Sequence, residues 1–291
     1  MKSYFVRHTK VMAVVEKAID FLWEQDRIAI HFPFEDGTKS NVEDSTSIDE
    51  KDYKKSAKVG ISIFSELNKS GGYIWAEYRN RKCAKIGKIV PKSSDIYVTK
   101  WRPGEFTYER KAKLKTLQIE RKSAKVISPS KAMPLRATRP RQGTIRRWPS
   151  AKDRLKCLVE EMPVAKSWDS LFPSEQETVC SEYLRHPDVA KCPTLERLLL
   201  PVGRTLEDVD IFGYAVDGKN LFAQVTYYEK YKAGKKIQDL KKYDDLRSHL
   251  VFFCKCEKIE FEDNVLFIPI KVVERWLKND GVYMDKLLAK S

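Results

Sequence analysis

Histidine is scarce in this chain of 291 residues. There are four, His8, His31, His186 and His249, far apart and outside any metal-ligand or HNH-type pattern, so histidine-centred chemistry is not expected. No Gly-x-x-x-x-Gly-Lys-Ser/Thr segment occurs, which removes the backbone cradle that NTPases build around phosphates. Long apolar runs are missing as well. The first, Val11 to Val15, is cut off at once by Glu16 and Lys17, well short of the ~18–20 apolar residues a membrane span needs. The amino terminus lacks the layout of a secretory signal, so an intracellular, cytoplasmic protein without a membrane partner is expected. Of the six cysteines, Cys83, Cys157, Cys180 and Cys192 are scattered, and Cys254 and Cys256 form a Cys-x-Cys pair inside an apolar run. Paired Cys-x-x-Cys ligands are absent, so reduced and mostly buried thiols are expected rather than structural zinc.

Acidic residues are scarce in one half only. Residues 1–150 hold 32 Lys and Arg against 17 Asp and Glu, and residues 151–291 hold 23 against 24, so the formal net charge of +14 arises in the first half. Between Arg79 and Arg147 there are 21 basic residues and four acidic ones, Asp95, Glu105, Glu109 and Glu120. Segregation of this kind suits a polyanion, because each phosphate neutralised by Lys or Arg releases a counterion. A solvated basic face is the alternative. The candidate nucleic-acid contacts are Arg79, Arg81, Lys82, Arg136, Arg139, Arg141, Arg146 and Arg147.

With 42% hydrophobic and 33% charged residues the chain can bury cores, and its length suits two domains of ~100–200 residues each. Helical spacing is read over Val11–Gln25 and Tyr53–Leu67, with a short strand over Ile28–Phe34 and an acidic, Ser/Thr-rich loop from Glu35 to Asp52. The period then changes to that of strands over Tyr73–Tyr78, Cys83–Val90, Asp95–Trp101 and Lys115–Ile127. Basic strands with interleaved aromatics predict a small β-barrel or curled sheet. Tyr73, Trp75, Tyr78 and Trp101 are candidates for a pocket around a flipped or modified base, with core packing as the competing role. The outline of this module is similar to PUA/EVE-like readers of modified bases, although no specific motif carries the likeness. Pro129–Pro149 holds four prolines and five arginines and is read as a linker or a phosphate-following arm. The boundaries so drawn are 1–128 for a basic module, 129–150 for the linker and 151–291 for a second domain.

The chemistry is concentrated between Ser174 and Tyr228. Ser174 with Glu177 has capping-box spacing at the head of a helix over Glu175–Arg185. A second short helix ending at Leu200 is expected after it. Strands over Asp208–Val216 and Asn220–Tyr228 then flank Asp217-Gly218, a strong hairpin pair. Side chains two apart share a strand face, so Asp208 and Asp210 point one way, and Gln224 and Thr226 share a face of the partner strand. The hairpin can set Asp210 beside Gln224 and the Val225 carbonyl. A carboxylate, an amide oxygen and a main-chain carbonyl are hard ligands of the type Mg²⁺ accepts.

At these residues the chain resembles the PD-(D/E)xK nucleases, most closely their Mrr-like restriction-endonuclease branch. Glu177 in ETVCSEYL matches the helix glutamate, Gly203 the glycine upstream of the metal aspartate, Asp210 that aspartate, and Gln224, fourteen residues on, the glutamine of the Gln-x-Lys strand. Thr226 stands where the family has lysine, and Arg204-Thr205-Leu206 replaces its acidic, glycine-rich approach. The resemblance covers about Ser174 to Lys278. It implies a restriction-endonuclease-like αβββαβ domain, an overall α/β and α+β architecture, and Mg²⁺ or Mn²⁺ held by Asp210, Gln224 and Val225. It implies a catalytic set of Glu177, Asp210, Gln224 and position 226. Lys230, Lys232, Lys235 and Lys236 are candidates to replace the missing charge, with Lys235 and Lys236 favoured at the start of a helix.

The implied function is a prokaryotic restriction or anti-phage DNA endonuclease with an N-terminal reading domain. Its partner would be double-stranded DNA, modified DNA included, with RNA the less favoured polymer and a homodimer one admissible assembly. The alternative is a nuclease-derived domain that has lost cleavage and serves as a DNA-binding regulator or assembly subunit.

Overall fold

A computed structural model describes residues 1–8, 16–32, 47–91, 96–101, 112–141, 143–186, 193–199 and 208–288. Two compact units emerge, Met1–Val164 and Ala165–Ser291, each mixed in helix and sheet.

In the first unit, β1 (Lys2–His8), β3 (Gly72–Tyr78), β4 (Ala84–Ile89), β7 (Lys125–Ile127) and β8 (Ile145–Arg147) form one open sheet in the order β7-β4-β3-β1-β8. Only the β1–β3 pair in it is parallel. A second sheet, β2-β6-β5, joins β2 (Arg27–Ile30), β6 (Ala112–Gln118) and β5 (Tyr97–Trp101). Neither sheet closes into the barrel that the alternating pattern suggested. The stretch read as one strand over Lys115–Ile127 instead leaves one sheet at β6 and enters the other at β7, turning through Glu120–Ser123. α1 (Glu16–Glu24) buries Ala18, Ile19 and Leu22, and α2 (Lys55–Ser70) buries Ile61, Phe64 and Leu67, both at helical spacing and within one core with Tyr4, Val6 and Ile74. Residues 11–15 and most of the predicted acidic loop lie outside the described residues.

The segment 129–150 is not a free linker. Residues Pro129–Thr138 form α3, and Ile145–Arg147, as β8, pairs antiparallel with β1. Trp148 is buried edge-on to Phe5 and Trp75, with ring centroids 5.9 and 6.3 Å away, which anchors this stretch to the sheet. α4 (Lys152–Glu160) also packs here, so the division falls after Val164 rather than at 150.

The second unit opens with α5 (Pro173–Arg185), which starts two residues earlier than predicted. Glu175 Oε2 accepts from Phe172 N at 2.7 Å, so Glu175, and not Glu177, reaches back to the helix start. Six strands follow in the order β13-β14-β12-β11-β10-β9. They are β9 (Leu195–Leu198), β10 (Ile211–Ala215), β11 (Asn220–Glu229), β12 (Ser248–Lys255), β13 (Glu260–Glu262) and β14 (Val265–Pro269). The short helix expected before Leu200 is the strand β9. A Cβ at Gly213 would collide with the Arg197 carbonyl, so glycine permits β9 and β10 to lie this close. The hairpin turns as expected, with Gly218 at φ +79° and its N–H on the Ala215 carbonyl at 2.9 Å.

β9, β10 and β11 are antiparallel neighbours, whereas β11, β12 and β14 run parallel. The β11-to-β12 crossover carries α6 (Gly234–Lys241), and α7 (Ile270–Asn279) and α8 (Gly281–Leu287) close the chain. Phe212, Phe222 and Tyr243 stack in series at 4.8 and 4.7 Å, tying β10 and β11 to the end of α6. Each such pair contributes roughly 0.5–1.5 kcal/mol beyond its buried area. No helix among the described residues is long and apolar enough to cross a membrane.

Candidate active site

β10 and β11 pair with Ile211 opposite Ala223, so Asp210 stands opposite Gln224, one position beyond that ladder. Asp210 N donates to the Ala223 carbonyl at 3.0 Å, and Val225 N donates to Asp210 Oδ2 at 2.8 Å. In a strand the N–H and C=O of one residue leave on the same side. The Val225 carbonyl is therefore directed toward the flank that Asp210 occupies. Burial pushes the Asp210 carboxyl above its ordinary range, and the Val225 N–H and the charge of Lys236 pull it partly back.

Gln224 is buried, sharing a face with Phe222, and its Oε1 has no hydrogen-bond partner. An amide oxygen stranded in this way costs ~1–3 kcal/mol, and buried acceptors left open are uncommon enough to call for a ligand or a water. Beside an incompletely neutralised carboxylate, such an oxygen fits a hard divalent cation. The donors that could hold one are Asp210, Gln224 Oε1 and the Val225 carbonyl. Among the described residues no three His, Cys, Asp or Glu side chains converge, so the set would be completed by water and phosphate.

Glu177 is half-buried on α5. Cys180, one turn later, is buried, and its thiol is pushed well above the ordinary range by that burial, then by the charges of Asp210 and Glu177. Both carboxylates thus act on this buried thiol.

Thr226 is 4% exposed, and its hydroxyl accepts a long hydrogen bond, 3.4 Å, from Tyr228 N. The residue in the lysine position thus helps turn the strand just where the β11–β12 register shifts after Val225. The four nearby lysines separate clearly. Lys230 is held by Glu260 at 2.7 Å and by Glu262 and lies 4.1 Å from the Phe267 ring centroid, and Lys232 pairs with Glu229 at 3.1 Å. Lys235 is exposed on the first turn of α6. Lys236, half-buried on the same turn, is the one of the four whose charge acts on Asp210. Gly203 and the residues that lead to Asp208 lie outside the described residues.

In the first unit the expected base pocket is not formed by the residues chosen for it. Trp75 is 0% exposed, and Tyr73 and Tyr78 are buried in the sheet. The Tyr73 hydroxyl is taken by Glu160, which with burial raises it to about 12, and the Tyr78 hydroxyl donates to the Arg27 carbonyl at 2.7 Å. Core packing prevails because β3 is a central strand covered on both faces. Trp101 ends β5 opposite Ala112, and its side chain lies outside the described part of the molecule.

Several predicted phosphate contacts are engaged within the fold. Arg79 pairs with Glu16 at 3.0 Å and Arg81 with Asp20 at 2.7 Å. Arg139 donates to both oxygens of Glu77 at 2.6 Å, joined by Arg136 at 3.3 Å. Arg147 grips Glu66. Arg146 is half-buried on β8, whereas Lys82 and Arg141 are exposed. Cys254 is buried and Cys256 half-buried, Cys256 Sγ lying 3.7 Å from the Lys258 carbonyl. No family model, no curated protein and no solved structure matches this chain.

Proposed function

We propose that the second unit is a divalent-metal-dependent phosphodiesterase of the PD-(D/E)xK kind, close to the Mrr-like branch, and that the chain is a DNA endonuclease of a prokaryotic restriction or defence system. One observation carries the reading. The β10–β11 hairpin sets two residues fourteen positions apart side by side, a half-buried carboxyl with a raised pKa, Asp210, and a buried amide oxygen with no partner, Gln224 Oε1. The element order also supports it: α5, the β9-β10-β11 meander, α6 and then β12 parallel to β11 follow the αβββαβ plan that the resemblance implies.

Asp210, Gln224 and the Val225 carbonyl would hold Mg²⁺ or Mn²⁺. Bound there, the ion would polarise the phosphodiester and lower the pKa of a coordinated water. Lys236 supplies the positive charge that Thr226 cannot, offsetting charge on the phosphate, and Glu177 completes the acidic side of the site from α5. The sheet pins these groups before substrate arrives, and such preorganisation gives electrostatic stabilisation most of its effect. DNA binding rests chiefly on the first unit, through the basic side chains that remain exposed there, such as Lys82 and Arg141. Modified DNA is kept as a substrate class.

The second reading is a nuclease-derived binding protein without cleavage. Thr226 favours it, since it brings no charge to the position where the family carries a lysine. Incubation of plasmid, phage and modified DNA with purified protein and Mg²⁺ or Mn²⁺, with Asp210→Ala as control, separates the two. Cleavage by the wild type alone supports the nuclease. Binding without cleavage in any metal overturns it in favour of the second reading.

A further inference from the structure

Among the described residues, four exposed large hydrophobic side chains are aromatic, and three of them, Tyr227, Tyr228 and Tyr231, fall within five consecutive positions. They follow Thr226 directly. Tyr231 is 77% exposed and Tyr228 57%. Tyr227 belongs to the other side of the strand, its hydroxyl pushed up by burial and by Asp169. The Thr226 hydroxyl accepts from Tyr228 N close to the end of β11 at Glu229. Lys232 Nζ lies 5.1 Å from the Tyr231 ring centroid, and Lys235 is exposed on the turn that carries Lys236. From Thr226 to Lys236 there are four lysines and one acid, Glu229.

We propose that Tyr228 and Tyr231 form a stacking platform for unpaired bases, so that the strand presented to Asp210 is single-stranded or locally opened. The proposal rests on the nuclease reading and names the form of its substrate. An exposed ring leaves apolar area in water, and a planar base is the ligand that covers it while its phosphates meet Lys235, exposed at the start of α6. In a duplex each base face is already covered by its neighbours and only edges and phosphates are offered. An unpaired strand offers both faces, and tyrosine stacks on them with little regard to sequence.

The test uses the full chain and a fluorescein-labelled mixed-sequence oligodeoxynucleotide, single-stranded or annealed to its complement, with anisotropy read in EDTA so that nothing is cut. Replacing both tyrosines by alanine should weaken single-strand binding by at least about 5- to 150-fold, the equivalent of the ~1–3 kcal/mol that one stacked base contributes, and leave duplex binding nearly unchanged. The double substitution to phenylalanine should keep most of the affinity. The loss on Tyr→Ala should persist at high salt, where counterion-driven binding fades. Unchanged single-strand affinity, or an equal loss for both forms, overturns the proposal. So does a change in sedimentation without a change in oligonucleotide affinity, which would make the tyrosines a contact between copies. Cleavage by the wild type and by Asp210→Asn, assayed separately with Mg²⁺, tells the two readings apart. If the wild type cuts while the tyrosine variants bind normally, the platform alone fails. If nothing cuts while the alanine pair loses single-strand binding, the nuclease reading alone fails.

Discussion

Glu66 and Glu77 in the first unit and Asp210 in the second are all shielded carboxylates, yet their surroundings differ in kind. Glu66 accepts from Lys2, Tyr4 and Arg147. Burial pushes its pKa up, but those hydrogen bonds outweigh it and hold the group at about 2. Glu77 takes Arg136 and both contacts from Arg139. Asp210 has one backbone donor and a raised pKa, and the Gln224 oxygen beside it has no donor at all. Glu66 and Glu77 therefore tie arginines into the fold, while Asp210 keeps one backbone donor beside an open amide oxygen. Net charge measures a surplus and says little about which cations are available. An open buried acceptor is the more specific sign of a ligand.

The hardest test of this contrast is Asp210→Ala. It should lower metal-dependent cleavage by at least about 10³-fold, as expected when a group that holds the catalytic charge is removed, with duplex binding kept. Parallel loss of binding in a filter or anisotropy assay would break the division of labour between the units. Next in size, Lys236→Ala should reduce the cleavage rate by about 10²–10³, while Lys235→Ala leaves it near wild type. Equal effects of the two would remove Lys236 from its role.

Glu77→Gln probes the other side of the comparison. It withdraws the charge that Arg136 and Arg139 share, and calorimetry should show the first unit destabilised by about 2 kcal/mol, below the full cost of breaking a wholly buried pair. A change too small to measure would mean that these arginines are free for phosphate after all.

The smallest expected effect has the opposite sign. Because the folded pKa of Asp210 is raised, the folded state holds its proton more tightly than the unfolded chain. Stability then falls as pH rises from the ordinary carboxylate range through the raised value. Asp210→Asn removes that loss and should raise Tm at pH 7, each kcal/mol recovered being worth roughly 4 °C for a unit of this size. Added Mg²⁺ should narrow the gap by stabilising the wild type alone. A lower Tm for the variant without metal would contradict the burial argument.

Much of the second unit was legible from local pattern. Asp217-Gly218 between alternating runs announced the hairpin, and the period of β11 put Gln224 and Thr226 on one face. β9 was missed because Thr194–Leu198 is too short and mixed to distinguish strand from helix without its partner β10. The helix start was misplaced because Ser174 and Glu177 have the same spacing as Phe172 and Glu175, and the backbone conformation that decides between them is not local to either pair. In the first unit, Tyr73, Trp75 and Tyr78 looked like a pocket since alternation alone cannot say whether a second face is covered. Tyr228 did not stand out because it ends a strand pattern that burial usually claims, and Tyr231 because it lies in the short turn beyond it.

The sequence by itself determined where the charge lies, where the hairpin turns, and which carboxylate and amide can meet across it. Chain chemistry and the two-residue period of a strand suffice for that. Only the tertiary structure decided which arginines are paired within the fold and which lysine acts on Asp210. Each depends on partners brought together from distant positions, and a carboxylate has no preference in sequence for the cation that folding sets beside it.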